Sequence, residues 1–589
     1  MKPTLMMDIE CYRDYFLVKF MSADTQGAVD YELFDWHPLD IASIRVLLTN
    51  HRIVTFNGNK YDIPMLSYAL AGATNEQLKQ ASDAIIQRNL QSWQFSDYVG
   101  VPILELDHID LFEVAPGIGS LKMYGGKMHS RKLQDLPFDP SATIGWAERI
   151  ALREYCGNDL QTTLDLWNTF PAQIHLREVM SEEYSVDLRS KSDAQIAEAV
   201  MKSLLPFKVD RPYVAPGTTF HYRPPEWLTF VDLEVLELLA RSPFTVTDTG
   251  SVEMTKELEK TIIRIGRSAY KMGIGGLHSM ESGTVHMADD NHTLTDHDVA
   301  SYYPSLILVT GIYPQQIGEQ FKHIYRSWYD RRLAAKHAGD KKTANSLKTL
   351  LNGTFGKLGS KWSIFYAPSE MIQVTITGQL ALLMLIEMLE LAGISVVSAN
   401  TDGIVLKTPR NLEFLRHQVI RWWESVTGFV TEQTDYHLVA SRDVNSYVAV
   451  KTDGEVKTKG AYAPPEPGPS GWPNPTGQVA ADAVVAYLTD GVPVEDTVRQ
   501  CQDIKQFVHI RQVKGGGTWQ GEYLGKAVRW YYSTGDTAPI LYATNGNKVA
   551  RTDGCRPMME LVDMIPEDID YDWYIAEARG MLADLGVGI

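Results

Sequence analysis

The sequence predicts a multidomain α/β protein of the α+β kind, on three observations. At 589 residues the chain exceeds the ~250–300 residues that one hydrophobic core organises. Short apolar runs ending in polar or acidic residues, such as Leu5 to Glu10 and Ile394 to Ser398, read as strands. Longer stretches with helical periodicity lie between and beyond them.

Taken in order, Leu5 to Glu10 is a first strand, and Asp8 and Glu10 share one face because residues two apart on a strand point the same way. Arg52 to Phe56 is a second, followed by the polar turn Asn57-Gly58-Asn59. Helical periodicity runs from Ser141 to Trp167 and carries Tyr155 and Asp159, which closes a strand-and-helix domain near residue 180. Pro206 to Pro225, rich in proline and aromatics, is a connector. Helices over Phe321 to Ala338 and Lys341 to Leu351 flank His337-Ala338-Gly339-Asp340, and glycine there allows a tight turn, giving an antiparallel helical hairpin. A strong helix over Gly378 to Ala392 precedes the strand Ile394 to Ser398. Prolines at 464, 465, 467, 469, 473 and 475 make the following segment a loop. No internal repeat is present.

Composition narrows the class. The 44% hydrophobic and 22% charged fractions are those of an ordinary globular protein. The run Leu380 to Leu391 is interrupted by Glu387 and Glu390 and falls short of the ~20 residues a bilayer requires, so it reads as a buried helix and no membrane partner is expected. The first residues lack the apolar block of a signal peptide. Cys11, Cys156, Cys501 and Cys555 are too sparse for a disulfide framework and lack zinc spacing. A cytoplasmic protein is expected. Its net charge of −18 argues against a non-specific basic coat. Yet Lys322 to Lys361 holds ten basic residues opposed by Asp330 and Asp340 alone. Lys505, Arg511, Lys514, Lys526, Arg529, Lys548 and Arg551 make a second basic stretch. Localised basic surfaces on an acidic body suit phosphates held in a channel.

Two further runs end in carboxylates at Asp298 and Asp402, with the basic helical segment between them. Carboxylate oxygen suits hard divalent cations, and cations spaced four apart on a helix, like Arg332 and Lys336, suit a triphosphate. That pairing is the equipment of two-metal nucleotidyl transfer.

On these residues the chain resembles the family B DNA polymerases, of the compact bacteriophage kind. Asp298-Val-Ala-Ser-Tyr-Tyr-Pro-Ser is similar to the first palm motif, Lys348-Thr-Leu-Leu-Asn352-Gly-Thr-Phe-Gly356 to the fingers motif, and Asn400-Thr401-Asp402-Gly403 to the second palm motif. Their order agrees, as does the hairpin between the first two. Upstream, Asp8-Ile-Glu10, the run Phe56 to Asp62, and Tyr155 to Asp159 resemble the three exonuclease motifs of the same family.

The resemblance implies an RNase H-like exonuclease domain over 1–180, then a right-hand polymerase. Its parts would be a connector with the N-terminal part of the palm (181–285), palm (286–320), fingers hairpin (321–358), palm (359–445) and thumb (446–589). It implies a DNA-directed DNA polymerase with 3′→5′ proofreading, acting in phage genome replication on primer-template DNA and dNTPs. Two Mg2+ ions per site are expected, with Mn2+ able to substitute. Phage or host replication factors are expected partners of a monomer. Asp298 and Asp402, with Val299, would hold the polymerase metals, and Tyr303 would sit under the sugar. Arg332, Lys336, Lys348 and Asn352 would face the incoming nucleotide. Asp8, Glu10, Asp62 and Asp159 would hold the nuclease metals, Tyr155 would orient water or phosphate, and Asn57 would contact the frayed strand. Tyr270, Gly275, Gly276, Thr401, Lys457, Lys459, Lys514, Lys526 and Arg529 would contact DNA. Three of these segments carry an alternative. Lys457 to Gly460 reads nearly as well as a basic hairpin edge, a core strand accounts equally well for Tyr531 and Tyr532, and His108-Ile-Asp110, in the first domain, reads about as well as structural.

One position departs from the family. Asn400 stands where an aspartate is usual, so Asp298 and Asp402 are the expected principal ligands and Asn400 an orienting group. Only 49 residues separate Asp298 from Lys348, and 47 separate Asn352 from Asn400. Those intervals have no room for the extra subdomains of protein-primed relatives, so an ordinary nucleic-acid primer is expected. Two rival classes are a nuclease with an impaired polymerase site and a non-catalytic primer-template binding protein.

Overall fold

The computed structural model describes residues 2–229, 234–468 and 471–588. The fold is mixed α/β and divides into two compact units, each assembled from separated stretches of chain. The first comprises Met1–Ser192, Pro465–Val479 and Gln500–Tyr574; the second comprises Asp193–Pro464, Ala480–Arg499 and Ile575–Ile589.

The first unit is built on a five-stranded sheet ordered Ala28–Phe34, Tyr15–Ser22, Thr4–Cys11, Arg52–Thr55, His108–Asp110. Its first three strands are antiparallel, and the last two run parallel to Thr4–Cys11. Strand periodicity sorts the side chains of Thr4–Cys11. Leu5, Met7, Ile9 and Cys11 pack on one face with residues of the helices Asp62–Leu70 and Asn75–Arg88. Met6 packs on the other with Leu160, Leu164 and Leu166 of the helix Trp146–Thr169. Asp8 and Glu10 share the face of Met6, so the alternation that builds the core also turns both carboxylates toward that helix.

The C-terminal stretches complete this unit. Trp472 joins the same core, edge-on to Phe170 at 5.7 Å, and its indole N–H donates to the Pro465 carbonyl at 2.8 Å. A four-stranded antiparallel sheet follows, ordered Leu541–Tyr542, His509–Trp519, Glu522–Tyr532, Cys555–Pro557. Arg529 on its central strand is 0% exposed and donates to the carbonyls of Met558 (2.7 Å), Ser130 (2.8 Å), Arg131 (3.0 Å) and Met559 (3.2 Å). This corrects the expectation that Arg529 grips DNA: its donors are spent inside the protein, and the core-strand alternative holds for this segment. Lys514 and Lys526 are exposed on the same sheet. Arg529→Met should therefore cost about 3 kcal/mol of stability, since several buried carbonyls lose a charged donor. The salt dependence of DNA binding should stay unchanged; a steeper loss of DNA affinity than of melting temperature would contradict the assignment.

The second unit centres on a ten-stranded antiparallel sheet. Its main path runs Val456–Lys459, Ser446–Lys451, Thr431–Asp443, His292–Val299, Gly403–Pro409, Ser395–Asn400, Leu277–Ser279, Ser268–Met272, Ile262–Ile265. The pairing continues from Thr431–Asp443 through Ser446–Lys451 to Val456–Lys459, so residue 446 lies within the sheet. The helix expected from Gly378 begins earlier and spans Pro368–Leu391, because proline is favoured at a first helical position. Among the described residues it is long and apolar enough to cross a membrane, but its most apolar window is 89% buried inside the protein, as a core helix is. The helical hairpin is Gln320–His337 and Lys341–Lys357. Gly339 turns at φ +72°, and the Asp340 carboxylate caps the second helix by accepting from the Thr343 N–H at 3.1 Å. That helix runs past the expected end at Leu351, so Asn352 and Phe355 are helical.

Candidate active sites

In the second unit, strand register brings the carboxylates of the two expected palm motifs together. His292–Val299 pairs with Gly403–Pro409 so that Asp298 faces Gly403 and Asp296 faces Val405. Asp402 lies in the tight turn between Ser395–Asn400 and Gly403–Pro409, where Thr401 takes a left-handed φ of +56°. Three backbone bonds hold this turn: Thr401 N–H to Leu277 O at 2.8 Å, Asp402 N–H to Asn400 O at 2.6 Å, and Val299 N–H to Asp402 O at 2.7 Å. A Cβ at Gly403 would fall on Asp298 Oδ1, so a larger residue there would displace that carboxylate. Gly276 is similarly confined, its added Cβ falling 2.8 Å from the Thr401 hydroxyl.

The resulting cleft, of about 280 Å³, is lined by Asp296, Asp298, Asn400, Asp402, Lys457 and Lys459 among others. Burial raises the Asp298 carboxyl to about 6, with neighbouring Asp296 adding to the rise and Lys457 opposing it. Burial raises Asp402 as well. Lys457 lies 3.4 Å from Asp296 Oδ2 and 4.0 Å from Asp298 Oδ2. Burial alone would lower the pKa of Lys457, but Tyr447 and Asp296 outweigh it and keep the ammonium charged. Burial lowers Lys459, with Asp402 in partial opposition. Asn400 donates through Nδ2 to the Val444 carbonyl at 3.0 Å and accepts from the Thr401 hydroxyl at 3.1 Å. Crowded carboxylate oxygens with raised pKa values are a donor set that a hard divalent cation satisfies.

Beside this cleft, Tyr303 stacks on Phe355 with centroids 3.9 Å apart, and its hydroxyl donates to the Gly275 carbonyl at 2.6 Å. Lys348 and Asn352 are exposed four residues apart on Lys341–Lys357. Arg332 donates to the Ser301 hydroxyl, and Lys336 pairs with Glu432, the strand neighbour of Asp298. Not every expected residue is accessible. Tyr270 is fully buried within the sheet, which corrects its expected side-chain contact with DNA; the apolar alternation of Ser268–Met272 turns it inward. The Val299 side chain is likewise buried, leaving its backbone as the part able to serve.

The first unit holds the other carboxylate set. Burial and neighbouring Asp159 raise Asp8 to about 7; burial and then Asp8 push Glu10 well above the usual range. Asp62 opens the helix Asp62–Leu70 and is 3% exposed, with Oδ1 lacking any hydrogen-bond partner. Burial and Asp8 raise it strongly. Asp159 is raised to about 6 by burial, against the opposing charge of Lys122. The Cys156 thiol donates to Asp8 Oδ2 at 3.6 Å and is kept neutral by burial and the nearby Asp8. An orphaned buried carboxylate oxygen amid four crowded acids also fits divalent cations.

Lys122 counters this charge. It donates to the Tyr155 hydroxyl, pairs with Asp135 at 3.3 Å, and lowers Asp8, Glu10 and Asp159. Asn57, at φ +66°, gives its backbone N–H to Asp110 Oδ1 at 2.7 Å, and Asn59 N–H reaches Asp110 Oδ2 at 2.9 Å. Asp110 thus ties the turn, and His108 bonds the Thr55 hydroxyl at 2.8 Å; the structural alternative holds for both.

Two charged residues in these sites escaped the sequence reading. Asp296 stands two before Asp298, the same spacing that marks Asp8 and Glu10. Lys122 carries no local signal, since its role depends on tertiary proximity.

No protein-family model matches the chain, and no curated protein matches it. Among solved structures it is similar to the family B DNA polymerase of the hyperthermophilic archaeon Pyrobaculum calidifontis. The identity is 14% and the TM-score 0.42, over 100% of this chain and 79% of that one.

Proposed function

We propose that this chain is a DNA-directed DNA polymerase that extends a nucleic-acid primer with dNTPs and proofreads with a 3′→5′ exonuclease. The supporting observation is a pair of buried-edge carboxylate sets, one per unit, of which one sits among exposed cations and a stacked aromatic pair. Bound Mg2+, or Mn2+ in its place, would activate the primer 3′-hydroxyl and stabilise pyrophosphate at the first set, and activate water at the second.

In the polymerase site, Asp298 and Asp402 hold the metals, and the turn bonds to Val299 and Leu277 fix where Asp402 stands. Lys348 and Asn352 reach the triphosphate from one helix face. Tyr303, braced by Phe355 and the Gly275 carbonyl, walls the sugar position and disfavours a 2′-hydroxyl. Lys459 contacts duplex phosphates, with Thr401 and Gly275 beside the template; Lys514 and Lys526, on the four-stranded sheet of the first unit, are exposed cations suited to backbone phosphates there. In the nuclease site, Asp8, Glu10, Asp62 and Asp159 hold the metals, Tyr155 orients water or phosphate, and Asn57 meets the frayed strand.

Lys122 tunes the second site. Removing its charge in Lys122→Met should raise the carboxylates further, so the acid limb of the trimming rate should move to higher pH. A pH profile of single-strand degradation unchanged from wild type would refute this role.

The decisive experiment incubates protein with a 5′-labelled primer-template and Mg2+, with and without the four dNTPs. Lengthening with dNTPs and shortening without them supports both activities. Shortening in both lanes favours a nuclease-only protein; neither change favours a binding protein.

A further inference from the structure

We propose that Asp296 is the third carboxylate of the nucleotidyl-transfer centre, supplying the negative charge that Asn400 lacks. The inference rests on the polymerase reading above and adds a residue to that site. Asp296 lies two positions before Asp298 on His292–Val299, so both point to one face, about 7 Å apart along the strand. It lines the same cleft as Asp298 and Asp402. At 7% exposure it is the more buried member of the pair, and a carboxylate is costly to bury unless cations or donors meet it. The Tyr436 hydroxyl donates to its Oδ2 at 3.0 Å.

Lys457 supplies the second observation. Its ammonium reaches Oδ2 of Asp296 at 3.4 Å and Oδ2 of Asp298 at 4.0 Å, so one cation already spans the two carboxylates. The pair therefore behaves as one cation-binding unit rather than as a ligand with an unrelated neighbour. Asn400 approaches from the far side of Gly403–Pro409, being paired with Gly403 as Asp298 is. Its amide is committed on both atoms, Nδ2 to Val444 and Oδ1 to Thr401, and it contributes no charge. Two divalent cations beside a triphosphate require anionic ligands, and the cleft's third anion comes from the strand of Asp298 instead of the turn of Asp402.

The test is rescue. Asp296→Asn should raise the Mg2+ concentration for half-maximal extension by about tenfold or more, the scale on which metal affinity answers to lost support. Single-strand trimming should be unchanged. Adding Asn400→Asp to that variant should return the Mg2+ dependence toward wild type, because the charge is restored across the sheet. A residue that merely holds Tyr436 and Lys457 would not be rescued this way. Wild-type Mg2+ dependence in folded Asp296→Asn overturns the inference, as does a loss that Asn400→Asp fails to repair. If Asp296→Asn does not fold, Asp296→Glu keeps the charge but displaces it by one methylene. An altered Mg2+ dependence in that variant supports the proposal, and an unaltered one overturns it. A wild-type protein that incorporates no dNTP with Mg2+ or Mn2+ defeats the polymerase reading itself, and this inference with it.

Discussion

Asp402→Ala should lower primer extension on the order of 10³-fold, about 4 kcal/mol of barrier, while single-strand trimming proceeds near the wild-type rate. The size follows from geometry. Asp402 sits at a turn pinned by backbone bonds of Thr401 to Leu277 and of Asp402 to Val299 and Asn400, so its carboxylate is held at a fixed place in the cleft. The selectivity follows from the fold, because the carboxylates proposed for trimming belong to a different compact unit. Primer extension and trimming are read on the same gel with a 5′-labelled strand. Parallel loss of both in a protein that still melts cooperatively would end the two-site reading.

The reverse is expected of Asp8→Ala combined with Glu10→Ala: trimming should fall by a similar order, ~10³-fold, with extension preserved. Both side chains are crowded with Asp62 and Asp159 in a buried site, and the pair removes two of its four acids. Because this removes mutual repulsion, the variant should melt no lower than wild type. The sign is fixed by the shifts: carboxyls raised above their unfolded values penalise the folded state as pH rises through about 7, and deleting them lifts that penalty. Persistent 3′-end shortening by the double variant, measured without dNTPs, would refute the assignment.

What could be read from the sequence divides along a physical line. Asp8 with Glu10, and Asp298 and Asp402 each at the end of its own apolar run, were legible because strand alternation and tight turns are local rules that act over a few residues. The hairpin of Gln320–His337 and Lys341–Lys357 was legible for the same reason, through two helical runs flanking Gly339. Arg529 was misread because an isolated cation on a strand looks solvent-facing, whereas the strand is buried on both faces over 527–532 and two of its carbonyl partners, Ser130 and Arg131, lie 399 and 398 residues away. Tyr270 failed likewise, since an aromatic beside glycines says nothing of the sheet that covers it. Lys122 could be found only once the helix Leu121–Lys127 was seen against the Asp8 carboxylate field.

The first unit's dependence on distant chain has a consequence for how the protein is made. Trp472 and Arg529 belong to its interior, yet roughly 270 residues must be synthesised after Ser192 before the first returning segment leaves the ribosome. At ~5–20 residues per second, that is a wait of about 15–60 s. During that interval the nascent N-terminal stretch has its sheet but not its closing partners, and the carbonyls of Ser130 and Arg131 await a donor still to be translated. An N-terminal fragment cut near residue 192 would remain in that state permanently. The proposed nuclease activity should therefore be sought by co-expressing the C-terminal stretch, not by truncation alone.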